Sequence, residues 1–274
     1  MIVKPRLPVI NRAHPLAKGL VADYPFFERG GTTLRDISGN NNHGTLTSMD
    51  PAVKWILTSQ GYGLDFDTTD YVTIPDSDIL DFGTSPFFVE TWIKTTVNNV
   101  RQVAVAKADV TGNFIFEMGT YRTLTANEIY CEFYVSGLYP KVLVVDSSFF
   151  DGKVHHLVAG HDGTAVRLFI DGVLRGSNVS AYGNIDTASW AIGTYGAYSP
   201  PFRGWNGQIA KTRVWKKAPI AREIATLYAD PWALYRSRRG IIGKAVAAAG
   251  VTYPQLERSF QRGAFRGIKM GVAA

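Results

Sequence analysis

The chain has 274 residues, 46% of them hydrophobic and 19% charged, with a net charge of +6. That length suits one or two domains, and that balance belongs to a folded globular protein and excludes a disordered one. The single cysteine, Cys131, excludes an intrachain disulfide and any Cys–Cys zinc spacing.

Residues 1–18 read as an N-terminal arm. Met1–Arg12 carries prolines and lacks the apolar stretch of a secretion signal. Residues 1–20 hold four cations and no acid; residues 231–274 hold eight cations and one acid, leaving −5 for residues 21–230. Basic ends on an acidic body suit attachment to an acidic partner surface. The chain offers no helix-turn-helix, zinc-finger or RNP-type pattern, so specific nucleic-acid binding is not expected.

From Leu20 onward the pattern is strand after strand, punctuated by Gly, Asn, Asp, Ser and Pro. Expected strands are Leu20–Phe26, Tyr62–Phe66, Tyr71–Ile74, Phe87–Thr95, Val100–Lys107 and Asn113–Met118. Ile129–Val135, Lys141–Val145, Val154–His161, Ala165–Ile170, Ser189–Ile192 and Gln208–Trp215 follow. In Phe88–Lys94, Phe88, Glu90, Trp92 and Lys94 fall on one face and Val89, Thr91 and Ile93 on the other. Asp171-Gly172 between two apolar pairs predicts a hairpin turn. Ile220, Ile224, Leu227 and Tyr228 form the one helical stripe, and Asp230-Pro231 ends it. So many strands without interleaved helices predict an all-β, two-sheet antiparallel jelly-roll sandwich with one short helix. Residues 230–274 read as a basic C-terminal tail.

Several segments, in order, resemble laminin-G-like (concanavalin A-like) jelly-roll domains. Asp36–Leu46 (DISGNNNHGTL) resembles a D-x-S-G-x-x-N-H-G-T segment of that family. Gly63–Asp67 with Asp70–Pro75 resembles its next strand pair, and Phe88–Ile93 its "FTVEAWI" strand. Asp151–Val158 and Leu168–Gly172 resemble "DGxWHHV" and "LYVDG", and Trp205–Ile209 with Glu223–Tyr228 resembles its closing strand and helix. The resemblance spans residues 19–229. A narrower one lies in Asn11–Leu20 and Tyr228–Arg236, which resemble the flanks of such domains in bacteriophage structural proteins.

That resemblance implies a non-enzymatic virion protein located in the virion, a capsid decoration or head-associated subunit attached through its terminal arms. The alternative is a carbohydrate-binding, lectin-like module for host or surface glycans. Expected partners are other virion proteins, chiefly the major capsid protein, further copies of the chain, and a glycan; no membrane partner is expected. Trp232, Tyr235, Arg236, Arg238 and Arg239 are the candidate attachment residues. Tyr195, Tyr198, Phe202 and Trp205, in a Gly/Pro/Ser loop, are the candidate ligand-loop residues, because rings stack on sugars or partner side chains.

The family often holds calcium at the sandwich rim, and calcium needs six to eight oxygen ligands. Here Ala210 stands where relatives carry an Asp, with Lys211 beside it, so no cofactor is expected and calcium is disfavoured. His155 and His156 are adjacent on a strand and point to opposite faces, which prevents them sharing an ion. No G-x-S-x-G or H-E-x-x-H pattern occurs. Glu90 and Glu132 are strand acids whose meeting would allow glycoside hydrolysis, the weakest of the three readings.

Overall fold

The computed structural model describes residues 9–108, 114–122, 127–134, 138–180, 188–196, 203–218 and 220–235. These form two antiparallel sheets of eight strands each. In chain order the strands are β1 (Leu20–Tyr24), β2 (Thr33–Leu34), β3 (Gly44–Thr47), β4 (Trp55–Thr58), β5 (Gly61–Asp67), β6 (Tyr71–Ile74), β7 (Phe87–Lys94) and β8 (Gln102–Ala108). Next come β9 (Phe114–Arg122), β10 (Asn127–Phe133), β11 (Lys141–Val145), β12 (His155–His161), β13 (Ala165–Ile170), β14 (Val173–Val179), β15 (Ser189–Ile192) and β16 (Asn206–Trp215).

The first sheet runs β14-β13-β12-β7-β16-β5-β4. β16 is long enough to serve two partners along one edge: residues 206–209 pair with β5 and residues 212–215 with β1. The register against β7 shifts between Ile209 and Lys211, so Ala210 is the extra residue of a bulge. The second sheet runs β11-β10-β9-β8-β15-β6-β3-β2.

Strand alternation sends one set of side chains between the sheets. Val89 and Ile93 of β7, Leu157 and Ala159 of β12, Phe116 and Met118 of β9, and Ile129, Cys131 and Phe133 of β10 join this main core. Its centre is aromatic: Phe87 lies 4.5 Å from Phe82 and 5.6 Å from Phe116, and Phe116 lies 5.1 Å from Phe133 and 6.0 Å from Trp190, centroid to centroid. Each such buried ring contributes about 1.5–3 kcal/mol by leaving water. Cys131 is a packing residue here, and burial pushes its thiol pKa up, away from reactivity.

The Asp171-Gly172 hairpin forms as expected between β13 and β14, with both residues at positive φ (50° and 80°). β14 is not among the strands that the sequence pattern predicts. It lies at the sheet edge with mostly exposed side chains, so it carries no buried face and hence no alternation to read.

The other set of β7, β12 and β16 side chains faces outward, yet much of it is buried. Phe88, Val158, Phe169 and Trp215 pack under Ile224 and Leu227 of the helix Ala221–Ala229, under Trp232–Tyr235, and under Ile10, Leu16 and Ala17. Residues 9–18 and 230–235, read from the sequence as parts of the N-terminal arm and the C-terminal tail, thus contribute to this second core. Asn11 N–H donates to the Leu234 carbonyl at 2.7 Å, and the Trp215 indole donates to the Leu16 carbonyl at 2.8 Å. The two flanks form one clasp across the sheet.

Candidate functional site

The clasp decides the fate of the attachment candidates. Trp232 and Tyr235 are 3% and 8% exposed, and both anchor the second core. Their indole and phenol rings are mostly apolar, and the nearby outer face of β7 and β16 offers the surface they bury. Arg236, Arg238 and Arg239 lie outside the described residues. Of the loop candidates, Tyr198 and Phe202 also lie outside them. Trp205 is fully buried in the main core. Tyr195 packs on Val103, Ala106 and Ala108 at the outer face of the second sheet.

That outer face is the best-equipped surface of the described residues. Since Ile129, Cys131 and Phe133 point inward, Tyr130 and Glu132 point outward, and Glu117 sits directly opposite Glu132 across the β9–β10 pair. Like charges so placed repel unless cations bridge them. Arg101 Nη2 bridges them here, donating to Glu117 and, at 2.6 Å, to Glu132. Arg203 Nη1 lies 3.3 Å from both Glu117 oxygens, and Lys141 Nζ lies 3.8 Å from Glu132.

Tyrosine rings complete the surface. The Arg101 guanidinium lies 4.6 Å from the Tyr121 ring centroid and 5.0 Å from that of Tyr130, and Arg203 lies 4.8 Å from that of Tyr195. Burial would lower the Arg101 pKa, but Tyr130 and Glu132 outweigh it and hold the group charged. Burial pushes the Tyr130 phenol up against the pull of Arg101, keeping it neutral. The carboxylates are buried, whereas the Arg101, Arg203 and Lys141 side chains keep 21%, 23% and 39% of their surface. The acids therefore fix the cations, and the cations and the half-buried Tyr121 ring meet the solvent. Sequence reading found Glu132 and Tyr195 but missed Arg101, Glu117, Tyr121, Tyr130, Lys141 and Arg203. The polar alternation Glu128, Tyr130, Glu132 on β10 was the available signal.

Glu90 does not meet Glu132. It points outward from the other sheet, where Phe88 of the same face joins the second core. There it accepts from the Trp92 indole at 3.0 Å, from Arg213 Nη2 at 3.2 Å and pairs with His156 at 3.1 Å. Burial would raise the Glu90 pKa, but Arg213, His156 and Lys211 outweigh it and hold it at about 2. His156 and its neighbour do point apart: His155 binds Asp171 at 2.8 Å, away from Glu90.

The Asp36–Asn42 loop does not suit calcium. Asp36 Oδ1 accepts from the Asp23 and Ser38 amides at 3.0 and 2.8 Å, and Oδ2 from the Asn42 amide and the Ser38 hydroxyl at 3.0 and 2.8 Å. With Gly39 and Asn41 at positive φ this is a closed turn whose carboxylate is already engaged. Among the described residues no group of three His, Cys, Asp or Glu side chains is placed to hold a metal ion. No helix of the described residues is long and apolar enough to cross a membrane.

A family model described as the Concanavalin A-like lectin/glucanases superfamily, of laminin-G type, matches residues 66–225, more than half of the chain. Comparison with curated protein sequences gave no match. Among solved structures, domain 4 of an extracellular arabinanase from Geobacillus stearothermophilus, in complex with arabinotriose, is similar at 19% identity and a TM-score of 0.56, covering 76% of this chain and 98% of that one. The binding domain of Paraclostridial Mosquitocidal Protein 1 is similar at 13% identity and a TM-score of 0.61, covering 78% and 52%. The ligand-binding domain of botulinum neurotoxin serotype D, in complex with N-acetylneuraminic acid, is similar at 12% identity and a TM-score of 0.56, covering 78% and 51%. The chain thus spans about half the length of these toxin domains. At such identities the likeness is one of fold.

Proposed function

The chain belongs to the concanavalin A-like lectin/glucanase superfamily, and on that premise we propose that it is a non-catalytic, carbohydrate-binding module. Its ligand surface is the outer face of β9 and β10. One observation carries this reading: Arg101 and Arg203 are held by the buried Glu117–Glu132 pair while their outer edges and the Tyr121 ring stay accessible. Guanidinium N–H groups donate to sugar hydroxyl and carboxylate oxygens, and a ring receives the apolar face of a sugar. Three cations over two acids favour an acid-bearing glycan over a neutral one. Similar structures solved with arabinotriose and N-acetylneuraminic acid agree with this use of the fold.

A glycosidase needs a proton-donating carboxyl and a second carboxylate, both open to the substrate. Glu117 and Glu132 are instead buried beneath their cations. The test is a glycan array followed by calorimetry on the full chain. Acidic oligosaccharides are expected to bind, and Arg101→Ala is expected to abolish binding; a silent array ends the proposal.

A finer reading places the module in a phage virion, with the capsid protein and further copies of the chain as partners. It is favoured by the flank resemblance, whose two halves pack together as the clasp joined by Asn11 and Leu234. Mass spectrometry of purified virions tests it: presence at symmetric copy number supports it and absence rejects it.

A further inference from the structure

On the opposite face of the sandwich lies a pocket of about 430 Å³, within the size range of small-molecule sites. It is lined by Ser59, Gln60, Trp92, Val154, Tyr228 and Trp232, with Pro231 completing the wall. We propose that this pocket is a second ligand site, one that takes an uncharged sugar ring.

The walls are assembled from four parts of the chain. Trp92 points outward from β7, and its indole N–H is tied to Glu90. Tyr228, in the last turn of the helix, lies parallel to Trp92 (8°) with centroids 5.9 Å apart. Trp232 is fixed from below by Lys211, whose Nζ lies 3.3 Å from its ring centroid and donates to the Pro231 carbonyl at 2.8 Å. The Ser59-Gln60 turn joins β4 to β5 and is braced by Thr58, whose hydroxyl accepts from the Gln60 amide and donates to the Gly61 carbonyl. The rings are therefore set before a ligand arrives, which lowers the ordering cost of binding.

The chemistry of the lining selects the ligand. It contains no Asp, Glu, Lys, Arg or His. The charges nearby are buried and already engaged: Glu90 accepts from the Trp92 indole and from Arg213, and Lys211 and Arg213 donate to the Pro231 carbonyl. What the pocket does offer is the Ser59 hydroxyl, the Gln60 carboxamide and the Tyr228 hydroxyl, none of which has a hydrogen-bond partner among the described residues. Neutral donors and acceptors beside aromatic and aliphatic walls match a ring with hydroxyls on its edge and C–H groups on its face. A charged ligand would lose its hydration there without gaining a counter-ion.

The experiment is saturation-transfer NMR on the full chain with the methyl pyranosides of glucose, galactose and mannose as probes. At least one probe is expected to bind, and Gln60→Trp, which fills the pocket from an exposed turn, is expected to weaken it at least about tenfold. Gln60→Ala, which removes only the carboxamide, is expected to weaken it in the same direction and guards against a folding defect. Val179→Ala, at the exposed edge strand β14 and outside both sites, is expected to leave the pyranoside signal unchanged. No transfer to any probe, transfer indifferent to both Gln60 variants, or transfer lost with Val179→Ala would each overturn the proposal. Binding of acidic oligosaccharides that is lost only with Arg101→Ala belongs to the other face, so the two readings fail separately.

Discussion

The outer faces of the two sheets carry similar charge inventories. One has Asp23, Glu90, His156, Lys211 and Arg213; the other has Arg101, Glu117, Glu132, Lys141 and Arg203. They differ in their cover. The first is roofed by the helix and the clasp, and its five side chains are essentially inaccessible. On the second, the acids are buried but the cations reach solvent. Roofing turns an ion cluster into a structural joint, because charges without water depend wholly on each other. Leaving the cations partly wet keeps hydrogen-bonding capacity for a ligand.

The largest effect that would break this comparison is on stability. Arg213→Met leaves Asp23 and Glu90 buried without their guanidinium and is expected to cost about 3–5 kcal/mol in urea denaturation. Arg203→Met, at the wetter face, is expected to cost less than about 1 kcal/mol. Equal losses would show that the roof makes no difference.

Tyr235→Phe comes next. The Tyr235 hydroxyl donates to the Asp23 carboxylate, 2.8 Å from each oxygen, and binds the clasp to β1. Its loss is expected to cost about 1.5–3 kcal/mol, as for hydrogen bonds to charged groups, read as a lowered thermal midpoint.

The pH dependence sharpens the same joint. Burial pushes Asp23 up to about 6, only partly offset by Arg213, Tyr235 and Lys211. A carboxyl whose pKa is raised on folding favours the folded state at low pH, and that contribution is lost as pH rises from 3.8 through about 6. Glu90 works in the opposite sense: its contribution is present above 4.5 and is lost as pH falls toward 2. Comparing the wild type with Asp23→Asn between pH 4 and 7 isolates the first term. The wild type should lose stability relative to the variant as pH rises; a flat difference contradicts an Asp23 titration in this window.

The smallest expected stability effect is at the open face. Tyr121→Ala removes a half-buried ring and should change stability by about 1 kcal/mol or less, while acidic-glycan affinity falls about tenfold by calorimetry. A large stability loss without an affinity change would make this face structural as well.

Much of the sandwich was legible in the chain. Lys141–Val145, Ala165–Ile170 and Ser189–Ile192 begin and end where period-two alternation places them. The Asp171-Gly172 turn was equally clear, because positive φ at two successive positions restricts residue choice. β2, with two residues, and β14, with no buried face, left no such mark. The candidate site was legible only in fragments, Glu132 and Tyr195.

The sequence by itself determined the resemblance to laminin-G-like domains, the inward and outward sets of each strand, and the direction in which His155 and His156 diverge. These follow from local geometry, since alternate residues on a strand must face opposite ways. Only the tertiary structure decided which outward set is sealed and which is open. The roof over Glu90 and Arg213 comes from segments more than a hundred residues away from Glu90 on the C-terminal side, and the clasp joins Asn11 to Leu234. Burial of that kind is a property of long-range packing, and it seats Trp232 and Tyr235 in the second core.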